Sequence, residues 1–136
     1  MEYRDLLIYH GPISKQRCEE LLAAKNKNGT FLIRDSETIH GALCLCVYKN
    51  NTVHTYRILQ THTGYYTLQT SAGVQEMFFK TMEELIQYYK KKNKGLITHL
   101  RHPVQRKELV HEDYVLPDEE PDYENVDSDY VAVLPD

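Results

Sequence analysis

The 136-residue chain has no tryptophan, only three cysteines, and no apolar run near the roughly 18 residues that a membrane-spanning helix needs. Its first residues, Met1-Glu-Tyr-Arg-Asp5, are too polar for a secretory leader, so we expect one small cytoplasmic domain that does not insert into a membrane. Cys18, Cys44 and Cys46 are an odd number, and their spacing fits neither a disulfide framework nor a zinc site. The sequence therefore predicts three free thiols.

Charge is distributed unevenly behind the net value of −4. Residues 1–107 contain all 16 Lys and Arg and 9 acids, a balance of +7, whereas residues 108–136 contain 11 acids and no Lys or Arg, a balance of −11. The apolar residues of the acidic part are too few and too scattered to offset the entropy of ordering. We expect a folded domain over residues 1–103 and a disordered acidic tail over residues 104–136.

Hydrophobic periodicity predicts a helix, a sheet and a second helix. Ser14 is a suitable N-cap for the first helix, with Asn28-Gly29 closing it, and Thr81-Met-Glu-Glu84 matches a capping box for the second. Between and after them, extended segments are predicted at residues 30–34, 42–48, 53–59, 65–69, 77–79 and 95–100. This order predicts an α+β domain in which a central antiparallel sheet is flanked by two helices.

Arg34 is the residue that most directly indicates a function. It ends the apolar run Phe31-Leu-Ile33, where an unpaired buried guanidinium would cost several kcal/mol, so an anion is expected to meet it. The next residues, Asp35-Ser-Glu-Thr38, form a polar turn whose N–H groups and hydroxyls could cradle a phosphate. The alternative is an internal ion pair with Asp35 or Glu37, and the local sequence does not decide between the two.

Further polar groups are expected beside Arg34. Period-2 alternation places Thr55 and Arg57 on one face of the third predicted strand, so Arg57 can reach the same phosphate. Cys44 is a small side chain that could lie under an aromatic ring, and Lys15 adds a cation from the first helical turn. Each of these also has an ordinary interpretation, as a solvated arginine, a core thiol or an exposed helix lysine. Their convergence favours an anion site.

Together these residues resemble a Src homology 2 (SH2) domain over about residues 6–103. The resemblance is carried by Tyr9-His-Gly-Pro-Ile-Ser14, Phe31-Leu-Ile-Arg-Asp-Ser-Glu37, Leu43-Cys-Leu-Cys46 and Thr55-Tyr-Arg57. Within that superfamily the chain is similar to the single-domain adaptors of the SLAM-associated protein group. Its ending, Asp129-Tyr-Val-Ala-Val-Leu-Pro135, resembles the tail of the EAT-type branch. The resemblance implies phosphotyrosine bound on one side of the sheet and the following ligand residues on the other.

The resemblance also implies roles for individual residues. Arg34 would grip the phosphate in bidentate fashion, and the whole phosphotyrosine pocket would comprise Lys15, Arg34, Ser36, Glu37, Thr38, Cys44, Thr55 and Arg57. An apolar slot for the third residue after phosphotyrosine would be lined by Tyr56, Ile86, Gly95 and Leu96, although Ile86 and Leu96 are equally plausible as core residues. The group binds Thr-x-Tyr-x-x-Val/Ile motifs in SLAM-family receptor tails.

Two residues depart from the superfamily pattern, which usually has Arg where Lys15 stands and His where Thr55 stands. Lys is a point charge without a bidentate fork, so phosphate affinity would depend more on the two arginines.

A third position bears on the recruitment of a kinase. Lys80 aligns with an Arg that, in the SLAM-associated protein, docks the SH3 domain of the kinase Fyn, and the resemblance does not extend to that recruitment.

Three tail tyrosines, Tyr114, Tyr123 and Tyr130, each follow an acidic residue and are typical of kinase substrates, with Src-family kinases as expected modifiers. Tyr123 resembles sites read by Grb-type SH2 proteins, and Tyr130 resembles sites bound by phospholipase C-γ. One alternative is a solubilising tail whose tyrosines are incidental. Another is an autoinhibited protein, because two tail tyrosines carry Val three places later and could enter the chain's own pocket.

Enzyme signatures are absent from the sequence. It has no Cys-x5-Arg phosphatase loop, Gly-x-Ser-x-Gly, Walker loop or His-Glu-x-x-His, so we expect a non-catalytic monomer without cofactor or metal. The +7 domain and Lys90-Lys-Lys92 raise the possibility of nucleic-acid binding. These lysines fall at a predicted helix end, where cations complement the helix dipole, so no nucleic-acid partner is expected.

Overall fold

A computed structural model describes residues 2–107, which form a five-stranded sheet with one helix on each face. After a 3-10 turn at Tyr3–Asp5, the elements are α1 (Lys15–Lys25), β1 (Thr30–Asp35), β2 (Leu43–Lys49), β3 (Thr52–Gln60), β4 (Tyr66–Leu68), α2 (Met82–Tyr89) and β5 (His102–Pro103). The strand order is β4-β3-β2-β1-β5, antiparallel except for the β1–β5 pair. The predicted α+β class is confirmed. The three tail tyrosines lie outside the described residues.

Both helices begin where the sequence indicates. Ser14 Oγ accepts an N–H of the first turn of α1 at 3.0 Å, and Thr81 Oγ1 accepts the Glu84 N–H at 3.1 Å. The Glu84 carboxylate accepts the N–H of Lys80, one residue before the cap, at 3.1 Å. Helix α1 ends at Lys25, before the predicted Asn-Gly pair, because the C-cap Asn26 adopts the left-handed conformation with φ 52°.

Alternation along the strands divides the apolar interior into two parts. The larger part lies under α2 and includes Phe31, Ile33, Leu43, Leu45, Val47, Ile58, Leu85 and Tyr89. The smaller part lies under α1 and includes Cys18, Leu22, Leu32, Cys44, Cys46 and Tyr48. All three cysteines are free, as predicted, and the structure places all three in the interior. The face under α1 therefore carries all three thiols and, as described below, the buried arginine.

The last predicted strand, at residues 95–100, is wrong, and the extended segment at 77–79 pairs at one residue only. Residues 77–79 make only an isolated bridge, in which Phe79 exchanges backbone hydrogen bonds with Tyr66 at 2.7 and 2.8 Å. Residues 95–100 form bends rather than a strand, because their backbone groups have other partners: the Leu100 N–H donates to the carbonyl of Tyr89 at 3.0 Å, and the Ile97 N–H donates to a side chain. The last strand is instead β5, parallel to β1.

Folded contacts continue past the predicted domain boundary at residue 103. Val104 is buried, and its N–H donates to the carbonyl of Phe31 at 2.9 Å. The Arg106 N–H donates to the carbonyl of Leu7 at 2.7 Å, and its guanidinium donates to the carbonyl of Tyr9 at 2.9 Å. These contacts hold residues 104–106 against the N-terminal segment. No helix in the described part of the chain is long and apolar enough to cross a membrane.

Candidate functional site

A row of polar side chains crosses the sheet face under α1. Arg34 of β1 is 4% exposed and lies opposite Cys44 of β2, which in turn lies opposite Arg57 of β3. The next row contains Cys46 and Thr55, whose Sγ and Oγ1 atoms are 4.0 Å apart. Strand register therefore places the two predicted arginines on the same face, with a small thiol between them.

No carboxylate among residues 2–107 forms an ion pair with Arg34. Its Nη1 donates to the backbone carbonyl of Asp35 at 3.0 Å, whereas its Nε is buried without a partner, as is the Nε of Arg57. A buried guanidinium left uncompensated is unfavourable. Neither arginine has a carboxylate partner among the described residues, so two uncompensated guanidinium charges lie together on the sheet, as a bound dianion requires.

The two acids that could have neutralised Arg34 have other partners. Asp35 Oδ1 accepts the hydroxyl hydrogen of Tyr9 at 2.6 Å, and Glu37 Oε2 accepts the backbone N–H of Lys15 at 3.3 Å. Burial, followed by the hydrogen bond to Asp35, raises the pKa of Tyr9, so its hydroxyl stays protonated as the donor. The internal ion pair that the sequence left open is therefore not formed.

The loop after β1 is held by its own serine. Ser36 Oγ accepts the N–H groups of Thr38 at 3.3 Å and Ile39 at 3.1 Å, and it lies 3.5 Å from Thr38 Oγ1. These contacts draw loop N–H groups together near the end of β1. A phosphate accepts stronger, charge-assisted hydrogen bonds than a hydroxyl does, so it could replace Ser36 as their acceptor.

Three thiols surround the Arg34 guanidinium. The hydrogen bond with Cys46 lowers the pKa of Cys18, burial opposes this, and the nearby Arg34 charge lowers the pKa further. The same hydrogen bond raises the pKa of Cys46, and burial adds to that rise. Burial also raises the pKa of Cys44, with Arg34 opposing it. The sequence predicted only that Cys18 is a free thiol. No local signal identified it as a neighbour of Arg34, because that contact depends on how α1 packs on the sheet.

A groove of about 670 Å³ extends from Lys15 and Thr55 to the 95–97 bends. It contains three of the four residues predicted for the apolar slot, and its lining is Lys15, Val53, His54, Thr55, Tyr56, Ser71, Gly95, Leu96 and Ile97. The Tyr56 hydroxyl accepts the Ile97 N–H at 2.8 Å and so holds the bends against β3. Lys15, Thr55, Tyr56, Gly95 and Leu96 therefore share one continuous surface.

Ile86, the fourth residue predicted for the slot, lies elsewhere. It is 6% exposed, belongs to the core under α2, and lines a separate cavity of about 250 Å³ together with Leu6, Ile8 and Phe31. Its position on α2 directs it toward β1 and the N-terminal segment. The structure therefore separates Ile86 from the other three residues predicted for the slot, whereas Leu96 lines the groove and also packs against the core.

The fold and the site define a class of protein. A sheet between two helices carries two arginines with unused donors, a hydroxyl-containing loop beside them, and an open groove leading away across β3. Two guanidinium groups with loop amides match the charge and the acceptor oxygens of a phosphate ester, and the groove matches an extended peptide. This is the arrangement of a phosphotyrosine-recognition domain.

Comparison with known proteins supports this class. The SH2 domain profile matches residues 8–89. Human SH2 domain-containing protein 1B is 44% identical over 131 residues, which are 96% of this chain and 99% of that protein, and mouse SH2 domain-containing protein 1B2 is 42% identical with the same coverage. The solved SH2 domain of a Monosiga brevicollis CRK/CRKL homologue superposes with a TM-score of 0.62 at 28% identity, covering 78% of this chain and 93% of that one. The chain belongs to the SH2 domain family.

A second group of relatives shares only the SH2 part. Human phosphatidylinositol 3,4,5-trisphosphate 5-phosphatase 1 is 48% identical over 99 residues, which are 73% of this chain but 8% of that enzyme. The similarity therefore does not bring that enzyme's activity to this chain. Similarity over nearly the whole chain is to SH2 domain-containing protein 1B, and it supports a phosphotyrosine-binding signalling adaptor.

Replacement of Tyr56 by Phe is expected to loosen the 95–97 bends, because it removes the acceptor of the Ile97 N–H. Loss of this one hydrogen bond corresponds to about 1 kcal/mol, so hydrogen exchange at the Ile97 amide should accelerate about fivefold or more. Tyr65→Phe, at an exposed tyrosine outside the groove, is the matched control. Unchanged exchange at Ile97 in Tyr56→Phe would show that the hydroxyl does not hold the bends.

Proposed function

We propose that this chain is a cytoplasmic adaptor whose SH2 domain binds phosphotyrosine motifs of the Thr-x-Tyr-x-x-Val/Ile type in the tails of SLAM-family immune receptors. The observation that carries the proposal is Arg34, buried at the end of β1 with an unused Nε and without a carboxylate partner in the described chain. Arg57, Lys15 and the 36–38 loop complete the phosphotyrosine pocket, and Cys44 and Thr55 contact the ligand ring.

The affinity follows from the chemistry of the phosphate. A phosphotyrosine adds about −1.5 to −2 charges and three acceptor oxygens, and each hydrogen bond to a charged group contributes about 1.5–3 kcal/mol. After an association cost of at least about 4 kcal/mol, a net value near −8 kcal/mol corresponds to roughly micromolar binding. Such binding is reversible, as signalling requires, and here it depends mainly on the two arginines.

The open edge of β3 supports recognition of residues on both sides of the tyrosine. Strand β4 pairs only with residues Ile58–Gln60 of β3, so the first part of β3 has no strand on its outer side among residues 2–107. In the proposed complex, an extended ligand crosses this edge, and the residues before the tyrosine follow the unpaired part of β3. Its third residue after the tyrosine then lies between Tyr56, Gly95 and Leu96, in the groove.

Titration with four synthetic peptides tests the receptor motif. The reference is phosphorylated Thr-x-Tyr-x-x-Val; the others lack the phosphate, carry Asp in place of Val, or carry Ala in place of Thr. We expect roughly micromolar binding of the reference, and at least tenfold weaker binding when Val becomes Asp, because a carboxylate would be desolvated in the slot. Equal binding of all four peptides would contradict the proposal.

Tail tyrosines are proposed to recruit effectors once Src-family kinases have phosphorylated them. Their residues lie outside the described part of the chain, so the support is the sequence around each: Tyr123 matches Grb-type SH2 ligands and Tyr130 matches phospholipase C-γ ligands. In pull-downs with kinase-treated protein, Tyr130→Phe should lose phospholipase C-γ, whereas Tyr114→Phe should retain it. Retention of phospholipase C-γ by Tyr130→Phe would remove that assignment.

The second candidate function is autoinhibition, in which the pocket captures the chain's own phosphorylated tail. The observation that favours it is Val126 and Val133, each three places after a tail tyrosine, together with a groove that accepts such a residue. Phosphorylation would then shift the amide resonances around Arg34 independently of protein concentration. Without such shifts, the phosphorylated tail would be free to recruit effectors.

A further inference from the structure

A second cationic site lies at the end of the sheet opposite Arg34. It is formed by seven side chains, which we call the basic end: Lys25, Lys27, Lys49, Lys91, Lys92, Lys94 and Arg101. Strand β1 begins here at Thr30 and reaches Arg34 about 13 Å away, so the basic end is separate from the phosphotyrosine pocket. Neither the phosphotyrosine pocket nor the peptide groove uses these residues.

Three segments meet to form the basic end. The end of α1 is joined to the β2–β3 turn, because Asn28 Oδ1 accepts the Asn50 N–H at 2.8 Å. Arg101 crosses over Gly29 so closely that a Cβ at that glycine would lie 2.8 Å from Arg101 Cγ. Lys49 lines a cavity of about 210 Å³ with Lys91, Lys92, Lys94 and His99. Tertiary structure thus concentrates cations that the sequence spreads over 77 positions.

The basic end has no negative counterpart in the described chain. Residues 25–30, 48–54 and 88–104, which form it, contain no Asp or Glu, and none of its cations has a carboxylate within 4.0 Å among residues 2–107. The ammonium groups of Lys91 and Lys94 lie 5.9 and 5.2 Å from the centre of the Tyr88 ring. Only Lys90 caps α2, so the helix dipole does not account for the rest of the run.

The positive potential at the basic end also acts on the pKa of a neighbouring histidine, His102. Burial, and then the charges of Arg101, Lys27 and Lys25, lower the pKa of His102. Seven like charges that repel one another favour any anion that reaches them. A flexible ligand carrying many carboxylates would fit this surface better than one compact dianion would, because the cations are spread over three segments.

We propose that the acidic residues 108–136 of this same chain bind the basic end while the tail tyrosines are unphosphorylated. This segment carries 11 acids and no Lys or Arg, which complements the seven cations. It starts directly after Lys107, and residues 102–107 span at most about 17 Å. Its 29 residues can span at most about 100 Å, so the tether allows the contact and keeps the local tail concentration high.

Docking at the basic end gives the tail a second position, distinct from capture by the phosphotyrosine pocket. It needs no phosphate, and it places the acids that flank the tail tyrosines against lysines, where kinases and effectors reach them less easily. The contact weakens as salt rises, because its charges are exposed and screened. This inference does not depend on the receptor motif proposed above.

A nitroxide label on the tail of the full chain tests the proposal. Ser128→Cys supplies the attachment site, since the three native thiols are at most 4% exposed. In unphosphorylated protein at about 0.05 M salt, we expect selective broadening of the amide signals of residues 49–50 and 91–94, and its loss at about 0.5 M. In a mixture of isotope-enriched protein without nitroxide and nitroxide-carrying protein without isotope, the signals should show no broadening if the contact is within one molecule.

Matched variants identify the surface. Lys91→Gln with Lys92→Gln should abolish the broadening, whereas Arg4→Gln with Lys80→Gln removes the same charge elsewhere and should leave it intact. Broadening around Arg34 and Arg57 instead, or no selective broadening, would overturn the proposal. The proposal would also be overturned if the label reported no tail contact while phosphatidylserine vesicles or RNA bound through Lys91 and Lys92. The ligand of the basic end would then be another polyanion.

Discussion

Arg34→Ala is expected to weaken phosphopeptide binding by at least about 100-fold. The guanidinium is buried and faces no carboxylate, so its interactions with phosphate are not shared with an internal partner. Two charge-assisted hydrogen bonds at about 1.5–3 kcal/mol each give a loss of about 3–6 kcal/mol. Arg34→Lys should recover only part of this, because an ammonium keeps the charge but not the planar fork.

The same substitution should leave the fold intact or stabilise it. Removing a buried charge that has no carboxylate partner relieves its desolvation penalty. The only expected loss in the free energy of unfolding of Arg34→Ala is therefore the packing of the removed side chain. Calorimetric titration with phosphorylated and unphosphorylated peptide, beside urea denaturation, separates the two effects. Wild-type affinity in a folded Arg34→Ala protein would show that the phosphate binds elsewhere.

A chain that ends at Pro103 is expected to be less stable than one that ends at Lys107 by about 3–5 kcal/mol. The truncation exposes the Val104 site, which contributes about 1.5–3 kcal/mol through burial. It also removes the hydrogen bonds of Val104 with Phe31 and of Arg106 with Leu7, at about 0.5–1.5 kcal/mol each. These contributions sum to about 2.5–6 kcal/mol, and the expected difference lies in the middle of that range.

Urea denaturation of the two truncated chains measures this difference. Gln105→Ala in the longer chain is the control, since Gln105 is exposed and lies between the two residues that make the contacts. His10 reports the same event: its Nε2–H donates to the carbonyl of Val104 at 2.7 Å, and burial lowers its pKa. After truncation the His10 pKa should rise toward its ordinary value, because the loss of burial and of the Arg106 charge outweighs the loss of the Val104 carbonyl, which raises the pKa. Equal denaturation midpoints would place the end of the folded unit at residue 103.

Local patterns were sufficient to predict the centre of the site. Alternation on β3 put Thr55 and Arg57 on one face, and the apolar run before Arg34 indicated a buried strand end. Both depend only on the period of a strand, which neighbouring residues decide. The N-caps at Ser14 and Thr81 are equally local, since each side chain bonds to an N–H three residues on.

Contacts between distant segments were beyond such reasoning. Cys18 joins the arginine site only because α1 packs on the sheet, and Ile86 leaves the predicted slot only because α2 turns it toward β1. The 95–100 segment has a strand-like composition, but two of its backbone N–H groups donate to Tyr89 and Tyr56 instead of to a neighbouring strand. In each case the partner is far away in the chain.

The amino-acid order alone determined the fold class, the caps, the arginine that awaits an anion and the division of charge along the chain. Tertiary structure decided that Asp35 and Glu37 bind other partners instead of Arg34, and it decided which residues line the groove. It also brought seven scattered cations to one end of the sheet. The physical reason is range: periodicity and capping act over one to four residues, whereas burial, pairing and electrostatic potential depend on neighbours that only folding brings together.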